Sequence, residues 1–173
     1  SDDIGKYKVS VLKKRIRKIN KNVKVKIFRV NADDKNLAKI LKLYDIIVDG
    51  TDNFKAKFLL NEFSLKLKKK LIIGAISKFE GHIFSFDFKD KKSPCLKCFY
   101  QHEPSEGILD CETDGILGTT AVITGSLQAN EALKAIMKIG DNLHSNILII
   151  NLLNLKLRKA LFKKKRECIC KNI

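Results

Sequence analysis

Long apolar runs are absent from this chain. No uninterrupted apolar stretch reaches about 18 residues, so no transmembrane helix is expected. Residues 1–6 lack the charged-then-apolar pattern of a secretory signal, and they lack an initiator methionine. We therefore expect a chain that begins inside a longer protein. At 173 residues, 45% of them hydrophobic, it is long enough for one domain with a hydrophobic core.

Arginine is scarce in a chain whose net charge is +16, because 30 of the 35 basic residues are lysine. Surfaces that read bases or clamp phosphates usually rely on arginine forks. The lysines are also spread along the whole sequence beside many Ile and Asn residues, which is typical of a compositionally biased genome. Nucleic-acid binding is therefore not expected, although the charge would also suit an acidic protein partner.

The five cysteines form two pairs and a single residue: Cys95 with Cys98, Cys111 alone, and Cys168 with Cys170. An odd count without a secretory signal argues against a secreted disulfide framework. The pattern favours free thiols in a reducing compartment and predicts a cytoplasmic protein.

Hydrophobic periodicity predicts an alternation of helices and strands. The predicted helices cover 8–19, 32–43, 54–68 and 119–139, and the predicted strands cover 23–27, 45–49, 71–75, 82–88, 147–151 and 155–161. The 119–139 helix is apolar on almost every side, which is typical of a buried helix. The last two strands predict a hairpin. The strand–helix–strand order from 45 to 75 predicts a parallel crossover unit.

Polar residues follow two of the predicted buried strands. Thr51, Asp52 and Asn53 come after the first, and Gly74-Ala75 ends the second. Because ligands of parallel sheets bind beyond the carboxyl ends of the strands, these residues are the first candidates for a binding site.

Six stretches, in the same order and at similar spacing, resemble the ThiF/MoeB/HesA family, which is related to the ubiquitin-activating enzymes. They are residues 5–9, 49–54, 74–75 with 79–81, 94–98, 111–112 with 115–118, and 125–129 with 131–134. The agreement runs from Gly5 to about Cys170. The resemblance implies an α/β fold with a Rossmann-like mixed sheet and flanking helices, present here as one domain over residues 1–173 without the N-terminal part of the nucleotide-binding fold.

The resemblance also implies an activity. Family members use ATP and Mg²⁺ to adenylate the C-terminal glycine of a ubiquitin-like sulfur carrier that ends in Gly-Gly, for thiamine or molybdopterin (molybdenum cofactor) biosynthesis. By resemblance, Lys8 contacts the ATP phosphates and Asp52 holds Mg²⁺. Cys111 matches a cysteine that in some relatives links covalently to the activated carrier, with an inert loop thiol as the alternative. A homodimer is implied as well.

The main departure from the family is the missing Gly-x-Gly-x-x-Gly loop, whose backbone amides would hold the phosphates. Lys57 also stands where many relatives have arginine. We expect this chain to be a fragment of a complete enzyme, and to adenylate poorly by itself. The alternative is a catalytically inactive relative that binds a carrier or other partner.

The cysteine pairs predict a structural zinc site with Cys95, Cys98, Cys168 and Cys170 as ligands, since two close thiolates can share a tetrahedral metal. The family ends in Cys-x-x-Cys, whereas Cys168-Ile169-Cys170 is one residue shorter. We expect a strand-like segment here, in which residues two apart point the same way. A lapsed site or a free dithiol remains the alternative.

Several other polar residues are predicted to be structural. Asp49 is assigned a structural role, and Asp52 could instead cap the helix that follows it. Gln128 and Ser126 are expected to form hydrogen bonds in the core. His82 is expected to be exposed on the side of its strand away from the phenylalanines.

Overall fold

The computed structural model describes residues 3–100, 104 and 115–171. Within them the helices are α1 (Lys8–Ile19), α2 (Leu37–Leu41), α3 (Phe54–Lys66), α4 (Leu96–Phe99) and α5 (Gly118–Met137). The strands are β1 (Ile46–Asp49), β2 (Lys70–Ser77), β3 (Glu80–Asp87), β4 (Asn146–Asn151) and β5 (Lys156–Leu161). None of these helices has both the length and the apolarity of a membrane span.

The chain divides into two compact units, Ser1–Ala32 and Asp33–Ile173. The first contains α1, which has the predicted bounds but buries none of its residues. The strand predicted over 23–27 was wrong, because residues 24–29 have no regular secondary structure. A strand requires a hydrogen-bonded partner, and no described strand pairs with this segment. The prediction of a single domain stays a prediction.

The second unit is built on one five-stranded sheet in the order β1-β2-β3-β4-β5. β1 and β2 are parallel and are connected by α3, as the crossover prediction required. All later neighbours are antiparallel, including the β4–β5 hairpin. The predicted α/β class with a mixed sheet and flanking helices is confirmed.

One side of the sheet, which we call the aromatic face, packs against α3 and α4. Its core contains a row of fully buried phenylalanines on β3 and just after it: Phe84, Phe86 and Phe88. Phe84 lies with its ring centroid 5.1 Å from that of Phe99 and 5.9 Å from that of Phe162. The alternating pattern over 82–88 produced this row. His82 lies two residues before Phe84 and therefore on the same face of β3, and it is half-buried. The prediction that it is exposed on the opposite face was wrong.

The other side of the sheet, the α5 face, is covered over β1, β2 and β3 by α5. The prediction that this helix is buried all round was wrong. Its four buried residues are polar: Thr120, Thr124, Gln128 and Glu131. Its outer side exposes apolar residues instead, among them Val122, Leu133, Ile136 and Met137. Apolar composition alone did not reveal which side of the helix meets the sheet.

The second predicted helix is shorter than expected. Residues 34–36 form turns, and α2 follows them. Asp33 stabilises the turn, because its Oδ1 accepts hydrogen bonds from the backbone N–H groups of Lys35 and Asn36, both at 3.0 Å. Short aspartate side chains often compete in this way with the first turn of a helix.

Candidate functional site

A cavity of about 430 Å³ opens beyond the carboxyl ends of β1 and β2, between the sheet and α5. Residues 50–54 after β1, residues 74–76 of β2, and several residues of α5 line it. The predicted candidates Thr51, Asp52, Asn53 and Gly74-Ala75 are all among the lining residues. The strand–helix–strand unit therefore brings them together as sheet geometry predicts.

A buried ion pair holds this end of the sheet in place. Lys57 is 4% exposed and Asp49 1% exposed. The Lys57 ammonium donates to Asp49 Oδ2 at 2.9 Å, to the Thr51 carbonyl at 2.7 Å and to the Gly74 carbonyl at 2.7 Å. An ammonium group has three protons, and all three are used within the protein. Lys57 therefore links β1, the loop after it and β2.

Asp49 takes part in the same network through its other oxygen. Its Oδ1 accepts from the backbone N–H of Thr51 at 2.8 Å and from the Thr51 hydroxyl at 2.7 Å. Both oxygens of the carboxylate therefore accept hydrogen bonds, and Lys57 balances its charge, which fits the structural role predicted for Asp49. Removing either partner would leave a buried charge without compensation.

Gln128 joins α5 to the same point of the sheet. Its Nε2 donates to the Asp49 carbonyl at 2.8 Å, which fits the predicted core hydrogen bond. Its side chain lies so close to Gly74 that a Cβ at that position would collide with it. The colliding atoms are the amide end of the Gln128 side chain, so glycine at 74 leaves room for the hydrogen bond that this amide donates to the Asp49 carbonyl. Ser126, predicted to be in the core, is exposed because it lies on the outer side of α5.

Asp52 is an exposed carboxylate in the loop after β1, and it lines the cavity. Asn53 Nδ2 donates to its Oδ1 at 3.0 Å. The alternative role as a helix cap was wrong, because Asn53 is the N-cap of α3 and its Oδ1 accepts from Ala56 N at 2.8 Å. Mg²⁺ typically binds one or two carboxylates together with water and substrate phosphates. The position and exposure of Asp52 suit that chemistry.

Lys8 lies at the first position of α1, in the first unit, with an exposed side chain. Asp52 belongs to the second unit. Cys111 lies outside the described residues. Glu80 begins β3, and its Oε1 accepts a hydrogen bond from Asn151 Nδ2 at 2.8 Å, which connects β3 to β4.

The four paired cysteines come together on the aromatic face. Cys95, Cys98, Cys168 and Cys170 are all buried, and their Sγ atoms lie within 4.8 Å of one another. Two of the Sγ–Sγ distances are 3.5 Å and 3.4 Å. Tetrahedral zinc with Zn–S bonds of about 2.3 Å separates its sulfurs by about 3.8 Å, so the donor set fits that metal.

The strand-like segment expected for Cys168-Ile169-Cys170 was wrong. Residues 166–171 form successive turns rather than a strand, and the turn bends both thiols towards the first pair. The backbone N–H of Lys165 donates to Cys98 Sγ at 3.4 Å. The thiols are coupled to one another: hydrogen bonds with Cys170 and Cys95 lower the pKa of Cys98, whereas hydrogen bonds with Cys170 and Cys98, together with burial, raise the pKa of Cys95. A thiolate is the form that binds metal.

The sequence analysis did not predict two features of the site: the buried hydrogen bonds of Lys57 and the position of Thr124 in the cavity lining. A signal for each was present. Lys57 shares the buried side of α3 with Asn61 and Ser64, which are four and seven residues later. Thr124 belongs to a polar stripe at helical spacing on an otherwise apolar helix. In both cases polar residues at regular spacing marked the side that faces the sheet.

Comparison with known proteins places the chain in a family. It matches the ThiF family over residues 1–172. It is 32% identical over 172 residues to a sulfur carrier protein adenylyltransferase of Thermus thermophilus, covering 97% of this chain and 64% of that protein. It is 38% identical over 160 residues to a probable molybdopterin-synthase adenylyltransferase of Pyropia yezoensis, covering 91% of this chain and 42% of that protein.

The fold agrees with this assignment. A crystal structure of E. coli MccB with MccA-N7isoASN aligns with a TM-score of 0.84 at 19% identity, covering 100% of this chain and 53% of that one. The chain thus spans less than two thirds of the length of these proteins. The described sheet, the cavity at its carboxyl edge and the sequence match agree with one another, and the chain belongs to the ThiF family.

Proposed function

We propose that the whole protein adenylates the C-terminal glycine of a ubiquitin-like sulfur carrier with ATP and Mg²⁺. The observation that carries this proposal is the cavity at the carboxyl ends of β1 and β2, with the Asp52 carboxylate on its lining. Its support is the membership in a family whose relatives include proteins named adenylyltransferases. The activity is proposed for the whole protein, because this chain spans 64% and 42% of the length of the two adenylyltransferases that it resembles.

The reaction joins two anions and needs charge neutralisation. A carboxylate oxygen of the carrier's terminal glycine attacks the α-phosphorus of ATP, the bond to the bridging oxygen breaks, and pyrophosphate leaves with the electron pair. The product is a carrier acyl-adenylate. Bound Mg²⁺ would neutralise charge on the pyrophosphate. In this proposal Asp52 holds the metal, Lys8 contacts the phosphates, and the Asp49–Lys57 pair positions the loop that carries Asp52.

The names of two relatives indicate which kind of carrier the protein uses and which pathway it serves. The Thermus thermophilus relative is named for a sulfur carrier and the Pyropia yezoensis relative for molybdopterin synthase. We infer a carrier that ends in Gly-Gly and serves molybdopterin or thiamine biosynthesis. The protein is proposed to be a cytoplasmic homodimer. Cys111 is proposed to react with the activated carrier.

We also propose that the four clustered cysteines bind one structural zinc ion. All four sulfurs point into one buried site, so four protein ligands would complete the tetrahedron and leave no open position for substrate. Asn61 supports the site from α3, since its Oδ1 accepts from the backbone N–H of Leu96, next to Cys95, at 2.9 Å. The proposed role of the zinc is to join the C-terminal turn to α4.

The experiment that tests the activity is ATP–pyrophosphate exchange with the full-length protein, Mg²⁺ and a ubiquitin-fold sulfur carrier ending in Gly-Gly. We expect exchange in the wild type and a decrease of about 100-fold or more in Asp52→Asn, since the metal contributes several kcal/mol of charge stabilisation. Asp90→Asn is a matched control. Asp90 is also an exposed carboxylate, with its Oδ1 accepting a local backbone hydrogen bond at 2.9 Å, but it lies in the turn after β3.

Each outcome has a definite meaning. If Asp52→Asn retains the wild-type exchange rate, the metal has been assigned to the wrong residue. If the folded full-length wild type shows no exchange at any carrier concentration, adenylation is rejected. A carrier-binding module without ATP chemistry would then be the better account of the cavity.

A further inference from the structure

The first unit has a cavity of its own, which we call the α1 cavity. Its volume is about 400 Å³, within the range of small-molecule sites, and residues of α1 and of the segments on either side of it form its lining. Three of the lining residues are cations: Lys6, Lys14 and Arg29. They belong to residues 6–29, which contain 11 of the 35 Lys and Arg residues of the chain and none of its 19 Asp and Glu residues. Positive charge therefore dominates this cavity.

Arg29 is held in place by two contacts inside the first unit. Its Nη2 donates to the Ser10 hydroxyl at 3.0 Å, and its Cζ lies 4.9 Å from the centre of the Tyr7 ring. A guanidinium has five N–H donors, and the bond to Ser10 uses one of them. Because the residue is exposed, a ligand can reach the guanidinium. Arginine forks match phosphate oxygens well, and a fork that is already positioned loses little freedom on binding.

One carboxylate also lines the α1 cavity, but its charge is balanced. Asp3 accepts a hydrogen bond from Arg15 Nη2 at 2.8 Å, and its other oxygen lies 3.7 Å from Lys6 Nζ. Since Arg15 compensates Asp3, the charges of Lys6, Lys14 and Arg29 remain in excess. The cavity therefore suits a ligand with more than one negative charge.

The spacing of the cations favours an anion longer than a single phosphate. Lys14 follows Ser10 by four residues on α1, which places it about 6 Å further along the helix axis. Arg29 is bound to Ser10, so Arg29 and Lys14 approach the cavity about one helical turn apart. Two linked phosphate groups span about this length, and each of them would then meet one cation.

The α1 cavity lies on the polar side of its helix. Ser10 and Lys14 line it, whereas Leu12, Ile16 and Ile19 lie on the opposite side of α1 at helical spacing. Any segment that covers this apolar side would therefore leave the cavity open to ligands.

We propose that the α1 cavity binds an anion with two linked phosphate groups, held by Arg29 at one phosphate and by Lys14 at the other, with Lys6 adding charge. Inorganic pyrophosphate and the diphosphate end of a nucleotide share this chemistry. Lys8, which is assigned to the phosphates of ATP in the proposed function, is not among the described residues that line the α1 cavity. The inference therefore concerns a separate site and does not rest on the proposed activity.

The test measures the binding of radiolabelled inorganic pyrophosphate to the full-length protein by equilibrium dialysis, without added magnesium and at a salt concentration of about 0.15 M. Arg29→Gln and Lys14→Gln should each raise the Kd about tenfold, because each removes a charge-assisted hydrogen bond. Orthophosphate should bind the wild type about tenfold more weakly than pyrophosphate, since it reaches only one of the two cations. Competition with ADP identifies the source of the diphosphate: displacement at equal or lower concentration indicates a nucleotide, and displacement only at higher concentration indicates free pyrophosphate.

Three control variants separate this site from general electrostatic attraction and from the proposed active site. Arg17→Gln removes an exposed cation of α1 that does not line the cavity, and it should change the Kd less than about twofold. Arg29→Lys keeps the charge but loses the fork, and it should raise the Kd about threefold. Asp52→Asn should bind pyrophosphate in this assay as the wild type does. All the substituted residues are exposed, so every variant should unfold at close to the wild-type temperature.

Each result supports or overturns the inference. Weaker binding by Arg29→Gln and Lys14→Gln, with nearly unchanged binding by Arg17→Gln, supports it. Equal losses in Arg29→Gln and Arg17→Gln would show a general attraction to the basic segment and would overturn it. No saturable binding in the wild type, or orthophosphate binding as tight as that of pyrophosphate, would also overturn it. Loss of binding in Asp52→Asn would assign the bound pyrophosphate to the other cavity, whereas exchange activity tests the proposed function independently.

Discussion

The two faces of the sheet are packed in opposite ways. On the aromatic face, α3 and α4 close a core of phenylalanines and four cysteines around β2 and β3. On the α5 face, the fully buried residues of the helix are polar, Leu127 and Ala132 pack against a small apolar cluster on the sheet, and a cavity remains beside the helix. The first arrangement gains stability from apolar burial. The second forgoes part of that gain and places hydrogen-bonding groups where a ligand can reach them.

The contrast shows where substitutions should affect folding and where they should affect binding. Asp49 and Lys57 connect the two faces, since Lys57 lies on α3 while the Asp49 carbonyl accepts from Gln128 on α5. A change on the aromatic face should therefore be measured first by stability, and a change beside the cavity by activity. Three experiments compare the stability of the two faces, and the exchange assay of Asp52→Asn tests the cavity.

The largest effect is expected at the cysteine cluster. Cys98→Ser removes one of four proposed zinc ligands in a buried site, and we expect the bound zinc to be lost together with about 5 kcal/mol of unfolding free energy. Thermal unfolding and the zinc content by mass spectrometry measure the two quantities. The same loss should follow incubation of the wild type with a strong chelator.

Cys111→Ser is the control for the cluster, because it removes a thiol that is not among the four proposed ligands. It should keep one zinc per chain and the wild-type unfolding temperature. The zinc proposal would be wrong if wild-type protein prepared with zinc available contained none, or if Cys98→Ser retained a full equivalent.

An intermediate loss of unfolding free energy is expected when one large side chain on the aromatic face is replaced by alanine, and a smaller one for a matching replacement on α5. Phe84 is fully buried among four other aromatic rings, and Phe84→Ala should lower the unfolding free energy by about 3–4 kcal/mol. Val122 on the outer side of α5 is 68% exposed, and Val122→Ala should change stability by no more than about 0.5 kcal/mol. Urea denaturation compares the two. A loss above about 1 kcal/mol in Val122→Ala would show that this side of α5 is covered in solution.

The smallest effect is a pH dependence on the α5 face. Glu131 is buried, and burial raises its pKa, but hydrogen bonds from Lys134, Asn142 and Leu143 N outweigh this and hold the pKa below the ordinary 4.5. A carboxyl whose folded pKa is lowered contributes stability above its unfolded pKa and loses it as pH falls through the folded value. The wild type should thus lose stability below about pH 4.5, and Glu131→Gln should lose less over the same range.

Glu62→Gln is the comparison for this titration. The pKa of Glu62 is also lowered, by a hydrogen bond from Lys66, but its side chain is 39% exposed. Solvent screens such a pair, so Glu62→Gln should leave the pH dependence of stability nearly unchanged. Equal effects of the two substitutions would show that the polar contacts of α5 are no stronger than those of an exposed ion pair.

Much of the fold could be predicted because it depends on local periodicity. The alternation around Phe84 and Phe86 produced β3, and the apolar run of residues 46–49 produced β1 with its polar successors at the right edge of the sheet. The segment over 23–27 has an equally clear alternation but is not a strand, since pairing depends on residues distant in sequence.

The candidate site divides in the same way. The four cysteines could be named from their type and spacing, and Asp52 from its place after a buried strand together with the resemblance to the family. The hydrogen bonds of Lys57 could not, because a lysine is ordinarily exposed and becomes buried only when acceptors from several elements surround it. The unpaired hydroxyl of Thr124 is likewise visible only when its surroundings are known.

The sequence by itself determined the order of most helices and strands, the parallel crossover with its polar edge, and the family, because these follow from short-range pattern and spacing. Only the tertiary structure decided which side of α5 meets the sheet, that a Cys-x-Cys turn reaches the Cys-x-x-Cys pair, and that Lys57 is fully hydrogen-bonded inside the protein. The reason is physical. Orientation, convergence and the pairing of buried polar groups depend on contacts between residues far apart in the chain, and no local pattern encodes them.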